Sequence, residues 1–144
     1  MSLSGGTPSM DFIAEAALRI FPFLAVITVV VFFHELGHFL VARWNGVRVD
    51  TFSIGFGGEV FGWNDKHGTR WRVSWVPLGG YVKFFGDAGA TSAQGDGLEE
   101  MTDEERAGSF HHKGLWQRAS VVVAGPVANF ILAIVIFAVM FATF

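Results

Sequence analysis

From Ala119 to Phe144 the chain carries no charged side chain. About 26 residues at ~1.5 Å each make a helix of ~39 Å, longer than the ~30 Å hydrocarbon core of a bilayer. A helix with no polar face has no place on a water-soluble domain, and in lipid a helix satisfies its own backbone hydrogen bonds. A second apolar run extends from about Phe12 to Trp44 and is densest between Ile20 and Ala42. It is interrupted by Glu15, Arg19 and the group HELGH at 34–38. Pro22, near its start, either opens that helix or kinks it. Composition agrees: 51% hydrophobic, 16% charged and a mean hydropathy of +0.44 fit a membrane protein with a modest polar portion.

The fold class expected is therefore a membrane protein, α with a small β region. Residues 1–11 form a small, polar, flexible leader. Residues 12–44 form a first transmembrane helix, 45–85 a β region, 86–114 a mobile acidic loop, and 115–144 a second transmembrane helix. In the β region, VRVDTFSI and TRWRVSWV alternate, the latter placing Trp71, Val73 and Trp75 on one face. NDKHG at 64–68 is a turn signal between them, and GFGG (55–58) and PLGG (77–80) permit bulges or bends. TDEE at 102–105 offers a capping-box helix start.

Nine of the ten Lys and Arg lie from Arg43 to Arg118, and only Arg19 precedes them. The positive-inside rule places the central segment in the cytoplasm and both termini outside. A net charge of −3 with no basic run argues against a nucleic-acid partner. With no cysteine, the chain excludes a disulfide scaffold and a thiolate metal site. Any metal must use His, Asp or Glu.

HELGH supplies these. Ionisable groups in a hydrophobic span are costly and mark function by default. His34 and His38, four apart, project from one face of a helix about one turn apart, and each can give a ring nitrogen to one Zn²⁺. Glu35 is rotated by about 100° from His34, out of line for a third ligand but placed to act as general base. Zinc brings the pKa of its water to about 7, and the glutamate takes the proton. Gly37, between the histidines, lets another backbone approach or leaves room for water. Asn129 brings an amide to membrane depth, where it bonds the first span or the β region, or orients substrate. His67, His111 and His112 read as solvated rather than ligating.

With HELGH in the first span, FSIGFG (52–57), GTRWRVSWVPLGGYVKFFGD (68–87) and RASVVVAGPVANF (118–130) in order, the chain resembles the site-2 protease family of intramembrane zinc metalloproteases, in its bacterial regulator of sigma-E protease branch. The resemblance runs from about Phe32 to Phe137. It implies a multi-pass protein of the bacterial inner membrane with a Zn²⁺ cofactor and a membrane-associated β-hairpin on the cytoplasmic side. The implied partner is the transmembrane segment of a single-span substrate, an anti-sigma factor or a signal-peptide remnant, received as an added strand. On this resemblance Gly55, Phe56 and Gly57 are substrate contacts; the residues alone read equally as a strand bulge. The family's third zinc ligand, an Asp in an LDG motif on a later span, has no counterpart in the sequence. The chain is accordingly expected to correspond to the N-terminal part of a longer protease, with little activity by itself. The alternatives are a non-catalytic membrane module that binds substrate or partner by β-strand addition, and a metal or proton transport segment.

Overall fold

The computed structural model describes residues 10–86 and 101–143, so the expected leader falls almost wholly outside the described residues. Two long helices, α1 (Met10–Trp44) and α3 (Leu115–Thr143), flank two strands, β1 (Val49–Asn64) and β2 (Arg70–Phe84). A short helix, α2 (Asp103–Gly108), and one 3-10 turn (Phe110–His112) precede α3. Both long helices are long and apolar enough to cross a membrane. Most of their large side chains face outward uncovered, among them Phe21, Phe23, Val26, Phe130, Ile134 and Phe141.

Helix α1 ends because Gly46 adopts φ +69°, a left-handed conformation that glycine takes at little cost. Val47 N–H then reaches back to Ala42 O at 2.9 Å, and Gly46 N–H to Arg43 O at 3.0 Å. This pair of bonds is a Schellman motif, and its apolar contact is supplied by Val47 and Ala42, both buried. The chain is thereby turned back alongside α1 as β1.

The buried cluster among the described residues forms at this corner. Phe39, Ala42, Val47, Val49, Phe52 and Val121 pack together, with Trp71 against them. Phe52 is fully buried, stacks on Trp71 at 4.3 Å and meets Phe39 edge-on at 5.5 Å. The cluster therefore begins at the residue after His38 and clamps the end of α1 that carries HELGH.

The two strands pair antiparallel with register shifts. The first half of β1 pairs with the second half of β2 (Phe52 with Val82, Ile54 with Gly80), and its second half with the start of β2 (Trp63 with Trp71). GFGG and PLGG lie inside these strands rather than between elements, and Gly55 and Gly57 take φ of +86° and +89° where the register slips. A uniform Trp71, Val73 and Trp75 face does not form. Trp71 packs in the core while Trp75 is 72% exposed, because β2 leaves α1's buried corner as it bends.

Two side chains tether the sheet along α1. The Thr28 hydroxyl shares its proton between Leu24 O of its own helix at 2.8 Å and Pro77 O at 3.0 Å. Fifteen residues further on, about 22 Å along the helix, Arg43 Nη1 donates to Asp65 Oδ2 at 3.1 Å. Asp65 also accepts from the backbone N–H of His67 (2.7 Å) and Thr69 (3.0 Å) and from Trp71 Nε1 (3.3 Å). Sequence reasoning marked this turn but not its aspartate. Desolvation raises the Asp65 pKa, but the His67, Thr69, Trp71 and Arg43 donors together outweigh it and hold the carboxyl below its usual 3.8. A depressed carboxyl contributes stability in full above that usual value, and the contribution is lost as pH falls through the lower, folded one. Asp65→Ala is expected to cost about 2 kcal/mol at neutral pH, from lost charge-assisted hydrogen bonds, and to cost less in strong acid. Thermal unfolding in detergent at two pH values checks this; a penalty that grows on acidification would contradict it.

Where one acidic loop was expected over 86–114, the described part from 101 on is ordered against the sheet. Thr102 and Glu105 form the capping box of α2, Arg48 N–H donates to Gly108 O at 2.9 Å, and Phe110 stacks on Phe84 at 5.1 Å.

Candidate metal centre

The site forms where α1 and α3 pack tightly against each other. The approach depends on Gly37, where a Cβ would stand 2.4 Å from Ala124 O and 2.8 Å from Ala128 Cβ. Of the two readings of Gly37, close backbone approach is the one seen. With the helices this near, both histidines of α1 meet α3.

The Nε2 atoms of His34 and His38 lie 3.2 Å apart. Two nitrogens at the usual zinc distance and a tetrahedral angle stand about 3.3 Å apart. Facing them on α3 is Gly125, where a Cβ would lie 2.3 Å from His38 Nε2 and 2.8 Å from His34 Nε2. With no side chain there, both imidazoles pack directly against the α3 backbone. An imidazole pair of this spacing fits two ligands of one zinc ion. Among the described residues no third His, Cys, Asp or Glu joins the pair.

The remaining ring nitrogens are engaged by α3. His38 Nδ1 donates to Val121 O at 2.7 Å, which leaves Nε2 as its lone-pair atom. His34 Nδ1 meets the Asn129 side-chain amide at 3.1 Å. Val121, Gly125 and Asn129 are spaced by four, so one stripe of α3 serves both imidazoles. Pro126 has no N–H, which leaves the Val122 carbonyl without its ladder donor and loosens α3 at this turn.

Glu35 lies against β2: a Cβ on Gly80 would lie 3.4 Å from its Cγ. Glu35 and His38 line one open cavity of about 250 Å³, walled by Val82, Phe84, Phe110 and Val122. The β region and the 3-10 turn therefore close over the HELGH face. His111 also borders this cavity, while His67 and His112 are exposed.

The other named residues are divided. Asn129 is at the imidazoles. Gly55, Phe56 and Gly57 are not, and none lines the cavity. They lie beside Val76 and Gly79 of β2, with Phe56 stacked on Tyr81 at 6.4 Å and Gly57 O accepting from Arg72 at 2.8 Å. Sequence reasoning missed Gly125. Its signal was the four-residue spacing to Asn129, which means something only once α3 is known to face the histidines.

Two long apolar helices brought together by an HExxH pair, with a small sheet over the glutamate, define the class. Residues 22–144 match peptidase family M50, the site-2 protease family, and the chain belongs to it. It is similar to a provisionally named zinc metalloprotease of Mesorhizobium japonicum, 59% identical over 125 residues that make up 85% of this chain and 34% of that protein. A provisionally named zinc metalloprotease of Rhizobium meliloti is 56% identical over 123 residues, 85% of this chain and 33% of its own. Metalloprotease MmpA of Caulobacter vibrioides is 50% identical over 131 residues, 84% of this chain and 33% of its own. The chain spans about a third of the length of these relatives.

Proposed function

We propose that this chain carries the zinc-binding and proton-transfer part of an intramembrane endopeptidase that cleaves the transmembrane segments of single-span proteins. The observation that carries the reading is the approach of His34 Nε2 and His38 Nε2 to 3.2 Å, with Glu35 and His38 lining one cavity. A zinc ion held by the two imidazoles supplies Lewis-acid chemistry, polarising a peptide carbonyl and acidifying water. Glu35 takes the proton from the attacking water and returns it to the leaving amine. Val121 O holds the His38 ring in its ligating tautomer. The sheet, tied to α1 at Thr28 and Arg43, walls the cavity through which water and substrate reach Glu35.

The remaining parts of the reading follow from charge and shape. The basic residues from Arg43 to Arg118 support a cytoplasmic central segment with the termini outside, and kinship with bacterial metalloproteases supports the bacterial inner membrane. A substrate unwound to an extended strand exposes a carbonyl that a helix shields, and it pairs with a strand edge. Phe56, half exposed, and Gly57, with open space beside its Cα, are available to contact it. Catalytic zinc commonly has three protein ligands, and the described residues bring two together, so this chain alone is expected to bind zinc weakly and cleave slowly. The same observation favours a second reading, a module that binds a strand without cleaving it.

Cleavage of a membrane-spanning peptide by the chain in detergent with added zinc, beside Glu35→Gln, tests the reading. Slow cleavage that disappears in the variant is expected. Cleavage that persists in Glu35→Gln would contradict the role of the glutamate, and none from either protein at high enzyme concentration would favour the second reading.

A further inference from the structure

Three polar contacts run in a line across the α1–α3 interface. The Asn129 amide meets His34 Nδ1 at 3.1 Å, His34 Nε2 meets His38 Nε2 at 3.2 Å, and His38 Nδ1 meets Val121 O at 2.7 Å. One end of the line has a fixed direction. A carbonyl only accepts, so the His38 proton is on Nδ1 and its Nε2 bears a lone pair.

The other end has two solutions, because an Asn amide is a donor on one side and an acceptor on the other. With Nδ2 toward the ring, His34 Nδ1 accepts, its proton sits on Nε2, and it is donated to His38 Nε2. The two imidazoles are then closed on each other. With the amide turned by half a turn, Oδ1 accepts from His34 Nδ1–H, and both Nε2 atoms bear lone pairs. Only this second arrangement can take a cation. Asn129 Oδ1 is buried without a partner in the first arrangement, and Nδ2 takes its place in the second. Neither orientation is secured by a second hydrogen bond, so the ring proton decides between them.

We infer that Asn129 is a two-position positioning residue for His34. Its amide turned one way latches the imidazoles together, and turned the other way it holds His34 in the ligating tautomer, so metal binding and amide rotation are coupled. The inference rests on the reading of His34 and His38 as metal ligands, and it assigns Asn129 to the ligand rather than to substrate.

The test is nitrogen NMR of ¹⁵N-histidine-labelled chain in detergent at about pH 8, where free imidazole is neutral, first with chelator and then with zinc. The His34 proton is expected on Nε2 with chelator and on Nδ1 with zinc, while the His38 proton stays on Nδ1 throughout. Asn129→Asp, an acceptor only, should show His34 protonated on Nδ1 under both conditions and bind zinc at least as tightly as the unsubstituted chain. Asn129→Leu should bind zinc about 10- to 100-fold more weakly, the usual effect of removing such a partner. If zinc shifts both rings but His34 is already protonated on Nδ1 with chelator, or if Asp and Leu weaken binding equally, the inference fails while the metal reading stands. If zinc shifts neither ring, both fail.

Discussion

Gly125→Ala is expected to abolish zinc binding while leaving the helices intact. The added Cβ would sit 2.3 Å from His38 Nε2, 2.7 Å from its Cε1 and 2.8 Å from His34 Nε2, between the two atoms that must both reach a cation. A zinc ion needs its nitrogens at about 2.0–2.1 Å, and a methyl group this near both rings forces them out of position. Alanine is the better helix former by about 1 kcal/mol, which offsets part of the local strain. The expected signature is loss of zinc affinity of at least about 100-fold, the upper end of the effect of disturbing a ligand's surroundings, with an unchanged far-UV circular dichroism spectrum. Wild-type affinity in Gly125→Ala would show that the imidazoles do not bind metal in the position α3 gives them.

The second large effect is expected at the imidazoles. His34→Ala and His38→Ala each remove one of only two convergent ring nitrogens among the described residues, so each should reduce zinc binding to background. Neither should unfold the chain. Both side chains lie at the helix interface above the core, and the cluster around Phe39, Phe52 and Val121 is untouched. The two variants are not equivalent in their leftovers. His34→Ala frees the Asn129 amide, whereas His38→Ala leaves Val121 O without its side-chain donor. Equal loss of metal from both, despite these different losses, is what joint ligation requires.

The long helices were legible because an uninterrupted apolar run has few other ways to satisfy its backbone. The relation of His34, Glu35 and His38 was legible because four-residue spacing on a helix fixes direction without any knowledge of neighbours. The role of α3 was not legible. It is apolar all round, so nothing in its pattern marks the face carrying Val121, Gly125 and Asn129. That face is set by how closely Gly37 lets the helices approach, a property of the pair. Asn129 could be named from its cost in lipid, but its partner on His34 could not. The strands were legible as alternating runs, yet alternation assumes a flat, half-buried sheet. The glycine turns of β1 and the bend of β2 leave Trp71 in the core and Trp75 outside it. Asp65 looked like an ordinary turn residue because its fourth donor, Arg43, is 22 residues away in sequence.

The central claim is that HELGH is tolerated in an apolar helix because its two imidazoles, oriented by α3, share one metal ion. Equilibrium zinc titration of the detergent-solubilised chain, beside His34→Ala and His38→Ala, tests it most directly. One zinc per chain at saturation, with both variants at background, is the predicted result. A chain that takes up no zinc, or one whose binding survives either substitution, would contradict it.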